Sequence, residues 1–525
     1  MKIIKSFSVV ASLTLLSNVF GYMRDAALAA KFGATTVTDA YFAAFFIPNT
    51  LYLILLSGSI STAFVPIFIE YLQKDKEDAW HIANSIINVS FLLLVLIILV
   101  GTLTVRYWMG FLFPGYSENT LQLSINLAVI LLPMLLFTGL SSLLSAILNS
   151  FEHFTIPAVA PLIGNIVVIV VILLSDHLGG IYGVAVGVSI GMLVQLIVHL
   201  PLLKQFGIRY RVLFNFKHPA FSRLGKMVIP LTVYLIIAYA SLVVERNIAS
   251  KLPEGTVSAL NYAIRLFTLP VVLIAGSIST VVYPRLSFEA SYGDGQALSR
   301  NLLKAISGST FFLMPLSFWM FINSVFVVEL LFGFGRFSPE DIRLTAVTLS
   351  GYTIGMLATG LTRILQRAFY AMQDTITPLR LEIVNLIVYT GLALGLTSLW
   401  GAAGLAAARG LSFVILAFAF VVGLSKHRQI PFDTKRIFPI LGRYLLASSC
   451  ATAIWSLSLW IDWRHYHLLD NDRLNNFIIT GIIGIFGLAL YIRLVLWLDL
   501  DDMRSFSILW KAFIVRVANY SKGVR

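Results

Sequence analysis

Charge is what this sequence has least of. Lys, Arg, Asp and Glu make up 12% of its 525 residues, against roughly 25% in an ordinary soluble domain. Hydrophobic residues make up 58%, more than a soluble core can bury, so the bilayer must serve as solvent. Cysteine is nearly missing. Cys450 stands alone in an apolar run, which excludes an internal disulfide and predicts a free, packed thiol. Acidic residues are scarcer than basic ones, giving a net charge of +13. That excess sits mostly in alternate loops, so it reports membrane topology and not nucleic-acid binding. A P-loop, a dinucleotide fingerprint and a nucleophile triad are all absent. No loop is long enough for a separate soluble domain. An enzyme is therefore not expected, nor is a cofactor.

What is present is a series of apolar segments of about twenty residues or more, each able to span a bilayer. They fall near 7–29, 38–68, 83–105, 121–148, 155–175, 180–203 and 221–249, then 257–284, 302–323, 342–371, 378–399, 402–424, 438–460 and 474–498. The expectation is an all-α polytopic membrane protein with about fourteen spans. The N-terminus imitates a secretory signal, but Arg24 and Asp25 precede its small-residue site, so retention as the first span is expected. Lys204, Arg209, Arg211, Lys217, Arg223 and Lys226 follow span six, and Lys426, Arg428, Lys435 and Arg436 follow span twelve. With the basic tail beyond 498, they predict that both termini are cytoplasmic.

The chain repeats itself. Gly-Ser-Ile-Ser-Thr occurs at 58–62 and at 276–280, flanked by Pro48 and Pro66 in one copy and Pro270 and Pro284 in the other. Pro157, Gly180 and Gly183 match Pro378, Gly401 and Gly404 at an offset of 221. Six spans separate the copies, an even number, so the repeats are parallel. Two six-helix lobes, 1–215 and 216–430, are expected, with two added helices and a basic cytoplasmic tail over 431–525. Such duplication is typical of transporters. The paired prolines can kink spans two and eight. Gly183, Gly187 and Gly191 are read as close helix packing.

Charges inside spans are costly and face a wet cavity or a partner. Thr14, Ser17, Gly21 and Arg24 form a polar stripe on span one, beside Asn18 and Asp25. Asp39 opens span two. Asn261, Arg265 and Thr268 share a face of span eight. An arginine in such a place suits phosphate, because its planar fork donates paired hydrogen bonds; alternatively Arg24 snorkels and pairs with Asp25 or Asp39. Arg363 and Arg367 are read as snorkelling. Arg409 and the Glu245-Arg246 pair are read either as cavity residues or as structural pairs. His465-Tyr466-His467 lacks the spacing of a zinc site. Asp470-Asn471-Asp472 and Asp499-Leu500-Asp501 are read as solvated helix ends, so no metal is expected.

Arg24-Asp25, Phe32-Gly33-Ala34, Thr38-Asp39-Ala40-Tyr41-Phe42, Ile47-Pro48-Asn49, Ala63-Phe64-Val65-Pro66, Tyr262-Ala263-Ile264-Arg265-Leu266 and Phe369-Tyr370-Ala371 resemble the MurJ (MviN) family of lipid II flippases. Asp374-Thr375 and Pro378 belong to the same likeness, which covers essentially the whole chain. The family lies within the multidrug, oligosaccharidyl-lipid and polysaccharide exporter superfamily. The resemblance implies a bacterial inner-membrane protein of peptidoglycan synthesis that carries lipid II, a polyprenyl-diphosphate-linked glycan, between leaflets by alternating access. It also implies a basic cavity holding Arg24, Asp25, Asp39 and Arg265, and a groove beside spans thirteen and fourteen for the polyprenyl tail. Membrane lipids and a coupling ion, sodium or proton, are expected partners, with Asp25, Asp39 and Glu245 as candidate coupling sites. Two positions depart from the family, which has arginine where this chain has Asn18 and Tyr52. The alternatives are a flippase or exporter for another polyprenyl-diphosphate-linked glycan and a polyprenyl-dependent membrane glycosyltransferase.

Overall fold

The computed structural model describes residues 2–55, 61–207, 210–215, 218–427, 430–432, 436–460 and 472–498. Three parts of the first Gly-Ser-Ile-Ser-Thr copy (58–60), the His465-Tyr466-His467 string, Asp499-Leu500-Asp501 and the basic tail lie outside them. Among the described residues the ordered elements are helices. Backbone polar groups in a bilayer must find partners within the protein, and a helix pairs them within its own segment. Eleven helices are long and apolar enough to cross a membrane, or twelve if one pair bent by 43° is a single span. The expected fourteen would also require the first helix and the two arms of a 50-residue helix to be counted singly.

The chain divides into two compact units, 1–261 with 331–342, and 262–330 with 343–525. The first unit contains α1 (Lys2–Phe32), α2 (Thr36–Tyr52), α3 (Ser61–Lys74), α4 (Lys76–Leu112), α5 (Glu118–Leu131) and α6 (Met134–Ser150). It continues with α7 (Thr155–Leu173), α8 (Ile181–Ile197), α9 (Leu200–Gln205) and α10 (Pro219–Ala249). One apolar cluster joins Ala40, Ala43 and Ala44 of α2 to Met109, Leu127, Leu131 and Val184. Small residues on α2 allow that close packing. A second cluster stacks Phe64, Phe68, Trp80 and Phe151 near the ends of α3, α4 and α6. The glycine stripe of α8 divides in its use. A side chain at Gly187 would come within 2.5 Å of Val171 on α7, and one at Gly191 within 2.9 Å of the Gly164 carbonyl. At Gly183 the obstacle is Leu178 of the preceding turn, at 2.3 Å.

Helix α11 (Thr256–Val271) begins in the first unit, and a π turn, Val272–Gly276, leads from it into α12 (Ser277–Ser291). The second unit adds α13 (Gly295–Ile322), α14 (Ser324–Phe332), α15 (Pro339–Thr353), α16 (Met356–Ala371) and α17 (Ile376–Ser425). It ends with α18 (Ile437–Trp455), α19 (Leu457–Trp460) and α20 (Asp472–Trp497). Its cores gather Leu302, Ile306, Leu365 and Phe420, and separately Tyr444, Ala451, Trp455 and Tyr491. Cys450 is exposed, contrary to expectation. The buried face of α18 runs through Tyr444, Ala447, Ser448, Ala451 and Trp455, and position 450 falls off it.

The sequence repeat reappears in the backbone of each unit. Gly180 opens α8 at φ 66°, ψ −129°, and Gly401 breaks α17 at φ 56°, ψ −130°. That region is open to glycine and strained for other residues. Glu152 (φ 57°) and Gln373 (φ 61°), the same offset apart, are the described non-glycine residues with positive φ. The proline-bearing spans also match. Residues 53–55 after Pro48 and Val272–Gly276 after Pro270 both take π geometry, a local widening common where helices bend.

Candidate functional site

The polar stripe of α1 faces α7. Arg24 donates to Asp25 Oδ1 from Nε at 3.0 Å and from Nη2 at 2.7 Å, and to Asn165 Oδ1 from Nη1 at 3.3 Å. Asn165 in turn donates to the Ser17 carbonyl. Gly21 lies along the same contact, where a Cβ would sit at ordinary van der Waals distance from Asn165, 3.6 Å. Arg24 is therefore held between a counter-charge and an amide, with three of a guanidinium's five N–H donors engaged. Asn165 was not singled out in the sequence. The signal for it is a lone amide in the otherwise apolar α7.

Asp39 does something different. Its Oδ2 accepts from Gly255 N at 2.8 Å, and its Oδ1 from Ser258 N at 2.7 Å and Ser258 Oγ at 2.6 Å. It thus caps the N-terminus of α11 from a distant part of the chain, where a carboxylate also meets the positive end of the helix dipole. Gly255 is needed here: it has φ 83°, and a Cβ would lie 2.2 Å from the Ala34 carbonyl oxygen. Neighbouring turns join the same layer. Thr36 Oγ1 donates to Glu254 at 2.9 Å, and Asp341 accepts from Ala34 N and Ser338 N. Arg336 N donates to the Ala30 carbonyl at 2.7 Å.

Arg246, late in α10, is buried at 5% exposure. Its Nη2 donates to Asn261 at 3.0 Å, and the group lies 5.7 Å from the centre of the Phe46 ring. Tyr52 is half-buried and hydrogen-bonded to Ser142 of α6, whereas Asn18 is exposed. Outside the spans, Lys31 and Asp176 pair, and that hydrogen bond holds the Asp176 carboxyl below its ordinary range.

In the second unit Arg265 is exposed on α11. Arg409 lies 4.6 Å from the centre of the Tyr389 ring and its charge acts on Glu382, which bonds Asn385. That is the structural-pair reading of Arg409. Arg367 does not snorkel. It donates to the Ser279 carbonyl at 3.2 Å and sits over Tyr283 at 5.3 Å, both on the helix that carries Pro284. An apolar groove of about 460 Å³ is lined by Phe312, Trp319, Trp455, Gly484, Leu488 and Tyr491, among others. It runs along α13, α18 and α20 and suits a hydrocarbon chain.

A family model described as lipid II flippase MurJ matches residues 28–469. The lipid II flippase MurJ of Burkholderia cenocepacia is 30% identical over 435 residues, covering 81% of this chain and 84% of the relative. A solved structure of a lipid II flippase MurJ in an inward closed conformation superposes with a TM-score of 0.77 at 25% identity, covering 92% of this chain and 97% of that one. An inward-facing multidrug transporter of the MATE family superposes at 0.67 with 16% identity, covering 79% of this chain and 96% of that one; that likeness speaks to fold alone.

Proposed function

We infer the function from one premise: the chain belongs to the lipid II flippase MurJ family, whose model covers residues 28–469. The protein is a multi-pass membrane transporter that moves lipid II from the cytoplasmic to the outer leaflet by alternating access, in peptidoglycan synthesis. The bacterial inner membrane, with both termini in the cytoplasm, is the location that the basic loops support. The division into lobes at 215 and 430 remains our reading of the repeat.

The head-group contacts we propose are Arg24 and Arg265, with Asp25 orienting Arg24. Arg24 is supported by its fixed posture: Asp25 and Asn165 hold the guanidinium and leave two N–H donors for phosphate oxygens. Asp39 contributes through the start of α11, the helix that carries Arg265. Asn18 and Tyr52 lie along the same route as polar, uncharged contacts. The groove of α13, α18 and α20 takes the polyprenyl tail. Sodium or protons are the candidate coupling ions, with Asp25 and Glu245 as carriers. Asn18 and Tyr52, uncharged where the family has arginine, favour as a second reading a flippase for another polyprenyl-diphosphate-linked glycan.

Complementation decides between them. In a strain depleted of its own lipid II flippase, this chain should restore growth, and Arg24→Ala and Arg265→Ala should each abolish rescue at normal protein levels. Rescue by both variants would sink the head-group assignment. No rescue by the unchanged chain, with another surface glycan lost when it is depleted in its own host, would favour the second reading.

A further inference from the structure

We propose that Arg246 is a direct contact for the diphosphate of the transported lipid, offered in one state of the transport cycle and covered in the other. The proposal deepens the transport reading above and rests on it. Arg246 is 5% exposed, and its Nε and Nη1 meet no acceptor among the described residues. One bond, Nη2 to Asn261 Oδ1 at 3.0 Å, and the face of Phe46 hold the group in place. The charge of Asp39 acts on it, but both oxygens of Asp39 are taken by Gly255 and Ser258 at the start of α11.

A buried guanidinium with unfilled donors is expensive in a membrane protein. Two other arginines within spans differ from it: Arg24 is engaged by Asp25 and Asn165, and Arg409 lies over Tyr389 with its charge acting on Glu382. What Arg246 lacks is oxygen. Between them Nε and Nη1 carry three N–H donors, and a diphosphate brings several closely spaced anionic oxygens to meet them. A ligand shifts a conformational equilibrium only through contacts that differ between states. A cation covered here and uncovered when the Asp39 cap lets go supplies such a difference.

The test uses the full chain, purified in detergent, with undecaprenyl diphosphate, lipid II and undecaprenol as probes. Arg246→Gln should weaken binding of both diphosphate lipids by about tenfold or more and leave undecaprenol unchanged. Arg246→Lys, which keeps the charge and loses the planar fork, should fall between. Undecaprenol binding serves as the folding control, since a variant that merely misfolds loses all three probes. Full diphosphate affinity in Arg246→Gln, or equal loss of diphosphate and alcohol in both variants, overturns the assignment. If the unchanged chain binds undecaprenyl diphosphate but not lipid II, the lipid II reading fails, and Arg246 still stands or falls on the undecaprenyl diphosphate comparison.

Discussion

Asp39 and Asp374 both cap helices, but in different surroundings. Asp39 lies inside a span, and its three donors replace the hydration it loses. Asp374 lies in the turn before α17, where it accepts from Ile376 N at 3.1 Å, Thr377 N at 2.9 Å and Thr377 Oγ1 at 2.6 Å. Partial burial works against its charged form, but those hydrogen bonds outweigh it and hold the carboxyl below its ordinary value. A depressed carboxyl contributes stability that is fully present above the unfolded value, about 3.9, and lost as pH falls through the lower folded one. Asp374→Asn should therefore lose about 1 kcal/mol near neutral pH. With His427 3.8 Å from the Asp374 carboxylate, the gap in thermal midpoint between variant and parent should not narrow from pH 7 to about pH 5 and should close below about pH 4. A gap that closes instead between pH 7 and pH 5 would contradict the depressed carboxyl.

At the scale of elements, the repeat was legible because it is written in residues with backbone consequences. Gly180 and Gly401 adopt nearly the same φ and ψ, and the sequence already paired them. Gly401 has nothing within 4 Å of an added Cβ, so Gly401→Ala should incur backbone strain alone, about 1–3 kcal/mol. Gly180→Ala, equally free of neighbours, should lose a similar amount. Thermal unfolding of the two variants would check this, and a neutral result at either would mean that the break tolerates an ordinary residue. The polar stripe of α1 was legible for the same reason, since helical spacing alone puts Ser17, Gly21 and Arg24 on one face. The cap on α11 was not. Asp39 and Ser258 are 219 positions apart, and no local pattern links a carboxylate to a helix start so far along the chain. Arg367 was misread for a related reason: proximity to a helix end suggested snorkelling, while its acceptor, the Ser279 carbonyl, lies on another helix. Cys450 shows the limit of reading by composition, because an apolar run does not say which of its faces is packed.

For the whole molecule, alternating access requires that a closed side open once per cycle, and opening must break what closes it. The turns near 30–36, 111–116, 247–258 and 335–341 are joined within the first unit by Asp39 with Gly255 and Ser258, Thr36 with Glu254, Asp341 with Ala34, and Ser250 with Gly115. In the proposed orientation this layer closes the outer side. The Thr36–Glu254 bond is exposed and worth about 0.5–1.5 kcal/mol, so replacing those two residues should leave closure to Asp39. The sequence makes the experiment clean, because Cys450→Ser removes its only cysteine. In that background, Thr36→Cys with Glu254→Cys, joined by a short cleavable thiol crosslinker, should hold the layer shut and abolish lipid II flipping in reconstituted vesicles. Cleaving the linker should restore it, and each single cysteine treated alike should keep full activity. Flipping that persists at complete crosslinking would mean that these turns stay together through the cycle and that lipid II leaves by another route.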